Sequence, residues 1–445
     1  MRWHGFLVSP GSFTLKLTVL AAFIVGIRGL FLIFDPSPVS GTHNHTPVPE
    51  QAQSASAFID SVGVNAHLSY FDTAYGNFAR VEDDLRSLGV RHVREGVHLG
   101  NPDYNNLLFG RWIELGKMGV RFDAVLDPRE KLGALTPALI ERIEQLSGNT
   151  IESFEGPNEL DINMSNWIDV DREFQKSIFS SVQASSAQVR PQVIAPSLAF
   201  ASKGEEFGGT LTGFDEGNLH PYPAGKMPSS VFPEQLDLAR AVFGDKPIVI
   251  TESGYHNALN DHSDQPGVPE QTAAKYIPRL FLDNFCEHIP RTYLYEFFDE
   301  KPDPALSDNQ LHWGLVRADG TEKPAYSALK NLIGELDDNA EAGPPLALSW
   351  TLSDSSPAIH HLLLKKSNGE FDLILWQEVS SYNTWIRHEV HNDPANTVLL
   401  LGKEARQVVL FEPVLQSAPI GTYAHVTSVP VSIPDHPLVI EIEPK

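Results

Sequence analysis

Between residues 57 and 335 two hydrophobic rhythms alternate along the chain. Short apolar runs rich in β-branched residues occur at 61–68 (SVGVNAHL), 90–97 (VRHVREGV), 121–127 (RFDAVLD), 150–156 (TIESFEG), 192–198 (QVIAPSL), 217–223 (GNLHPYP), 247–253 (PIVITES) and 292–298 (TYLYEFF). Between most of them lie stretches with helical spacing of apolar residues, such as 78–89 (FARVEDDLRSLG), 104–119 (YNNLLFGRWIELGKMG) and 136–148 (TPALIERIEQLSG). The first pattern predicts buried strands and the second amphipathic helices. The glycine closing each of these helical stretches reads as a cap ahead of the next strand. Eight strands separated by helices predict a (β/α)8 barrel. The link at 199–216 (AFASKGEEFGGTLTGFDE) is only weakly helical. A doubly wound open sheet is the alternative. It would place a glycine-rich phosphate loop after the first strand, and 65–73 (NAHLSYFDT) is not one.

Beyond residue 340 the rhythm changes. Residues 360–379 (HHLLLKKSNGEFDLILWQEV) hold a turn signal, Asn368-Gly369, between two β-rich runs, which predicts a hairpin. Runs at 396–402, 406–413, 424–433 and 438–444 follow at short spacing. They predict a smaller all-β sandwich packed on the barrel. The expected boundaries are 57–340 for the barrel and 341–445 for the sandwich.

The N-terminus differs again. Residues 17–34 (LTVLAAFIVGIRGLFLIF) are apolar except for Arg28, and no Lys or Arg follows until Arg80. That charge asymmetry predicts a signal peptide or single transmembrane signal anchor within 1–34, with the rest of the chain exported. Residues 35–56 read as a Pro-rich disordered linker, with His43 and His45 solvated rather than bound to metal. Membrane contact is expected through the N-terminal segment alone.

Composition narrows the classes. The formal net charge is −24 over 445 residues, which repels phosphate backbones and argues against a nucleic-acid partner. The single cysteine, Cys286, excludes an intrachain disulfide and reads as a buried, inert thiol. No metal-ligand spacing, nucleophile elbow or Walker loop is present, so no cofactor is expected.

In a barrel of this kind reactive residues sit at the carboxyl ends of strands. Those ends carry Arg94 and Glu95, then Glu155, Asn158 and Glu159, then His220 and Tyr222, then Glu252, and last Glu296 to Glu300. The group at the fourth strand lies in SFEGPNELD, where three acids surround a Gly-Pro-Asn that no helix would hold. "PNE" closing the fourth strand, "HPY" the sixth and "ITESG" the seventh resemble the clan A glycoside hydrolases. Residues 312–332 (HWGLVRADGTEKPAYSALKNL) resemble the segment after the eighth strand in several families of that clan. The resemblance covers the whole barrel, and an appended β-sandwich is common there.

The resemblance implies a retaining glycosidase acting on β-linked oligo- or polysaccharide. Glu159 would be the general acid/base and Glu252 the nucleophile, and Asn158 would hydrogen-bond the sugar 2-hydroxyl. Tyr222 would hydrogen-bond Glu252, His220 would line the cleft, and Arg94 would steady the nucleophile as a carboxylate. Chemistry agrees, since retaining cleavage needs one carboxyl protonated and one ionised, and a nearby arginine favours ionisation. Glu155 is expected to support Arg94, and Glu296 to touch substrate. Many clan members stack a tryptophan from the eighth strand under the sugar. This chain has YEFFDE there, so Phe297, Phe298 or Trp313 would supply the face.

Each residue also has a plain structural reading. Glu159 could cap a helix, Glu252 join an ion pair, His220 and Tyr222 fill core, and Arg94 be a surface charge. The competing function is a non-catalytic glycan-binding protein on a glycosidase scaffold.

Overall fold

The computed structural model describes residues 46–445 apart from 131, 187–188, 339–343 and 345. The apolar segment 17–34 and the first half of the linker, with His43 and His45, lie outside the described residues. Among those described, no helix is long and apolar enough to cross a membrane.

Eight parallel strands form one sheet: β1 (Val62–Asn65), β2 (His92–Gly96), β3 (Arg121–Val125), β4 (Ile151–Glu155), β5 (Gln192–Ile194), β6 (Gly217–Leu219), β7 (Ile248–Ser253) and β8 (Thr292–Leu294). They are ordered β5-β4-β3-β2-β1-β8-β7-β6. The two ends meet through a parallel bridge between Ile194 and Glu216, which makes the sheet a barrel. Each strand lies inside one of the eight apolar runs read from the sequence.

Helices α1 (Phe78–Leu88), α2 (Pro102–Lys117), α3 (Pro137–Leu146), α4 (Trp167–Ala184), α5 (Phe232–Phe243), α6 (Glu270–Cys286) and α7 (Pro324–Leu336) accompany the strands. In α1 the residues Val81, Leu85 and Leu88 are buried, while Arg86 pairs with Glu82 and Asp83 on the outer face. That amphipathic stripe holds the helix on the sheet. The helix ends at Gly89, whose φ of +83° a side chain would resist and whose N–H bonds Leu85. After β5 the weak helical pattern gives a 3-10 segment, Ala201–Phe207, in place of a full helix.

The C-terminal region is all-β, consistent with the expected sandwich. Strands β9 (Ala347–Leu352), β10 (Ile359–Lys365), β11 (Phe371–Gln377), β12 (Ala395–Phe411) and β14 (Leu438–Pro444) pair antiparallel along the path β9-β12-β14-β11-β10, and β13 (Gly421–Ile433) pairs with β12 off that path. The hairpin around Asn368-Gly369 forms as expected, Lys365 facing Phe371. The runs at 396–402 and 406–413 are one strand, not two. Polar Lys403 and Glu404 sit at a bulge, and on either side of it β12 pairs first with β9 and then with β14.

A second correction concerns the linker. Its last residues are ordered: Val48–Gln51 pairs with β9 and Gln53–Ser54 with β10. Pro49 is tolerated because this strand is the sheet edge, where a missing N–H breaks no ladder. The reading of Cys286 also changes, because the thiol is half-buried beside the His361 carbonyl. Burial pushes it up to about 12, so it is unreactive as expected.

Arg279 of α6, fully buried, joins the two regions. It donates to Glu378 at 2.9 and 2.6 Å and to the carbonyls of Val379 and Asp435. Lys275 pairs with Asp435 at 2.9 Å beside it.

Candidate active site

The turn after β4 explains SFEGPNELD. A Cβ on Gly156 would stand 2.1 Å from the Gln175 side chain and 2.8 Å from the Pro196 backbone, so only glycine lets this loop press against the end of β5. Asn158 then forms a parallel bridge with Ser197, and the Glu159 N–H donates to Ser197 at 3.1 Å. Asp127 and Arg129, just after β3, hold the Asn158 backbone from the other side. Glu159 itself has φ +50°, ψ 47°. A residue with a Cβ adopts that conformation at a cost of about 1–2 kcal/mol. It turns the carboxyl into the barrel mouth.

Arg94, at the end of β2, is the hub of the mouth. Its Nε and Nη2 donate to Glu155 at 2.6 and 2.8 Å. Nη1 donates to Glu252 Oε1 at 2.6 Å and to Asn65 at 2.9 Å, and Nη2 also reaches Asn158 Oδ1 at 2.7 Å. Every one of these acceptors comes from a different strand end or from the loop after β4. Ser197 also donates to Asn158 Oδ1, so the Asn158 amide nitrogen is left to donate outward.

Glu252, at the end of β7, accepts the Tyr222 hydroxyl on Oε2 at 2.7 Å. The β7 end lies close to β8, since a Cβ on Gly254 would stand 2.4 Å from the Tyr295 carbonyl. Burial alone would raise the Glu252 carboxyl. The charges of His220 and Arg94 and the bonds from Tyr222 and Arg94 outweigh it and hold the group below the ordinary carboxylate range. Glu155 is treated alike: burial raises it, and Arg94 more than reverses this. Asp123, deeper in the barrel, takes the opposite state. Burial and the Glu155 charge push it well above its usual value, so it is a neutral acid.

His220 links the two sides. Its Nδ1 is 2.8 Å from Glu159 Oε1 and its Nε2 is 2.9 Å from Thr251 Oγ1. The proton inventory is constrained. The Thr251 hydroxyl hydrogen goes to Asn218 Oδ1 at 2.7 Å or to Glu155 Oε1 at 3.2 Å, both acceptors, the Asn218 amide nitrogen being spent on Glu155 and Ala195. Thr251 Oγ1 therefore accepts from His220 Nε2–H. Nδ1 and Glu159 Oε1 then share a single proton across their 2.8 Å contact. Burial would lower the imidazole, but Glu252 and Glu159 raise it overall.

One carboxylate oxygen of Glu159, one of Glu252 and a ring nitrogen of His220 all lie within 4.8 Å of one another. Three ligand atoms at that spacing could surround a cation. Here the Arg94 guanidinium already occupies Glu252, and an added ion would meet its charge at close range.

The structure thus gathers Glu159, Glu252, Asn158, Arg94, His220 and Tyr222 in one mouth, with Glu155 beneath Arg94. Three expectations change. Glu296 is fully buried, bonded to Tyr75 and His67 at 3.2 Å each, so it backs the site and cannot touch a ligand. Burial, with Glu300 and Asp299, pushes it well above the usual range. Phe297 and Phe298 are core residues and offer no stacking face. Trp313 is 6% exposed, wedged at 5.1 Å from Tyr222, 4.8 Å from His256 and 5.9 Å from Tyr295. It supports the tyrosines and is not itself an open platform.

Sequence reading missed His67 and Tyr295. The His67 ring is stacked on Tyr70 at 4.6 Å and bonded to the Tyr295 hydroxyl at 3.3 Å. Burial lowers it to about 4, so it is a neutral donor or acceptor at ordinary pH. Its position two residues past β1 was the available signal.

Glu95, beside Arg94, is buried under this same loop and accepts the Leu68 N–H. Burial pushes its carboxyl up to about 8. In the unfolded chain it ionises near pH ~4.3. Stability from this group is therefore highest at acid pH and is lost as pH rises between those values, by about 1.4 kcal/mol per unit. Denaturant melts at pH 5, 6.5 and 8 should show Glu95→Gln losing less stability than wild type on that climb. Parallel curves would disprove the buried, protonated carboxyl.

No protein-family profile and no curated protein matches the chain. Solved structures do. A GH39 enzyme from Xanthomonas axonopodis pv. citri is 15% identical with a TM-score of 0.57, covering 92% of this chain and 99% of its own. A monomeric β-xylosidase from Caulobacter crescentus CB15 is 13% identical with a TM-score of 0.57, covering 89% and 98%. A glucosidase from Croceicoccus marinus is 12% identical with a TM-score of 0.57, covering 82% and 92%. The likeness is one of fold, shared with these three solved glycoside hydrolases.

Proposed function

We propose that the chain is a retaining glycoside hydrolase for β-linked glycans, with Glu252 as nucleophile and Glu159 as acid/base. The observation that carries this is the close approach of their carboxylate oxygens, within 4.8 Å across the mouth. Retaining pairs stand about 5–5.5 Å apart, and inverting pairs are wider to admit a water. The electrostatic asymmetry supports the same roles. Glu252 is held ionised by His220 and Arg94, whereas the partner of Glu159 is the His220 ring nitrogen.

In this reading Glu252 attacks the anomeric carbon as the glycosidic bond breaks, and Glu159 gives its proton to the leaving oxygen. Asn158 donates from its free amide to the 2-hydroxyl. Glu159, now a carboxylate, takes a proton from water, which attacks the glycosyl–Glu252 ester and restores both groups. The likeness in fold to a β-xylosidase and a glucosidase makes xylosides and glucosides the first substrates to try. The export expected from residues 17–34 would place that substrate outside the cytoplasm.

Proton NMR of the first-formed sugar is the test, and it should show the anomeric configuration retained. Glu159→Ala should lose about 10²-fold or more on unactivated glycosides and far less on activated aryl glycosides. Added azide should then yield a glycosyl azide of retained configuration. An inverted first product would exclude Glu252 as nucleophile.

A further inference from the structure

The all-β region sends a two-stranded ribbon, Tyr382–Asn383 and His388–Glu389, away from its own sheet. Its tip exposes Trp385 to 94% and Ile386 to 71%. An indole left so fully in water forgoes the stabilisation that burying it would bring. Nothing in the fold needs it there, yet the tip is held firmly. Asn383 Oδ1 accepts the N–H groups of Trp385 and Ile386 at 3.0 and 3.3 Å. Arg387, at a φ of +49° that disfavours any residue with a Cβ, donates to the carbonyls of Leu259 and Asp261, both at 3.0 Å.

Those carbonyls belong to the loop that follows Glu252. On the other side Thr384 meets the loop that follows Tyr222, its Cγ2 lying 3.1 Å from where a Cβ on Gly225 would be. The ribbon is therefore fastened to the two loops that extend from the nucleophile and from its tyrosine partner. It presents a bare aromatic face at the carboxyl end of the barrel, where the mouth opens.

We propose that Trp385, with Ile386 beside it, is a stacking platform for sugar rings of an extended glycan, outside the ring held between Glu159 and Glu252. Sugar rings carry apolar C–H faces that suit an indole, and the ribbon is tied to two loops that lead out from the strand ends bearing Tyr222 and Glu252. The inference rests on the glycosidase reading and specifies its substrate as an oligomer or polymer.

The test has two arms. In the first, the Glu252→Gln chain is titrated calorimetrically with xylotetraose, cellotetraose and laminaritetraose, with and without Trp385→Ala. In the second, the otherwise wild-type chain and its Trp385→Ala and Arg387→Ala variants are compared on those tetrasaccharides and on the 4-nitrophenyl monoglycosides. Trp385→Ala should weaken binding of the accepted tetrasaccharide about tenfold, the equivalent of ~1.4 kcal/mol of lost stacking. It should lower the ratio of tetrasaccharide to monoglycoside kcat/KM by a similar factor, and Arg387→Ala should lower it less. Unchanged affinity and ratio would overturn the platform and leave the glycosidase reading standing. Trp385-dependent binding without hydrolysis of any glycoside would keep the platform and sink the glycosidase reading. Loss of a dimer in sedimentation on Trp385→Ala would also overturn the platform, because the occupant would then be a second copy of the chain.

Discussion

Glu252→Gln should turn over at no more than about one-thousandth of the wild-type rate, because an amide cannot form the glycosyl ester that the proposed double displacement requires. The loss should fall on kcat with activated and unactivated substrates alike, since both need the nucleophile. A mechanism-based fluoro-sugar inactivator should label Glu252 in the wild-type chain, located by peptide mass spectrometry. Two other acids of the region are poor candidates on structural grounds. Glu155 is fully buried, with its oxygens taken by Arg94 and Asn218. Asp161 spends its carboxylate on the N–H groups of Ala199 and Phe200. A label on either would mean that the mouth is organised differently from this description.

Arg94→Met should destabilise the fold by about 3–5 kcal/mol at neutral pH, measured by denaturant unfolding. The methionine fills similar space but leaves Glu155 and Glu252 without their shared cation. A buried acid without a counter-charge recovers only by taking up a proton. The added replacement Glu155→Gln should therefore restore part of the lost stability. Activity should not return with it, since Glu252 would still lack the charge that holds it ionised. If Arg94→Met were as stable as wild type, the guanidinium would not be the hub that its bonds to Glu155, Glu252, Asn158 and Asn65 describe. Arg94→Lys should also fail to replace it, because an ammonium cannot span acceptors placed on four sides.

The barrel was legible because its strands are buried on both faces and so read as unbroken apolar runs between capped helices. The residues of the mouth were legible in proportion to how far the backbone alone fixes them. Glu159 and Glu252 lie where a strand ends in a glycine-bearing turn, and their placement needed only strand order. Glu296 was not legible in the same way. It is the second residue past β8, and whether it faces the mouth or the core depends on packing against Tyr75 and His67, which are distant in sequence. The same holds for Trp313, whose ring is placed by Tyr222 and His256. In the all-β region, Lys403-Glu404 looked like a loop because a bulge and a turn share polar composition. The edge strand at Val48–Gln51 was hidden by proline and polar residues, which suit an edge as well as a linker.

That edge strand bears on how the chain is made. Val48 lies opposite Trp350, so the earliest of the described strands to be synthesised waits for a partner made after the entire barrel. During that wait its backbone is unpaired and open to chance association with other extended segments. Its composition, Val-Pro-Glu-Gln, lowers that hazard, for the proline removes a donor and the glutamate adds charge. The barrel can assemble from strands that are neighbours in synthesis, whereas the sheet can close only at the end. A chain ending between α7 and β9 would thus carry every residue of the candidate site while the strands that complete the all-β sheet had yet to be made.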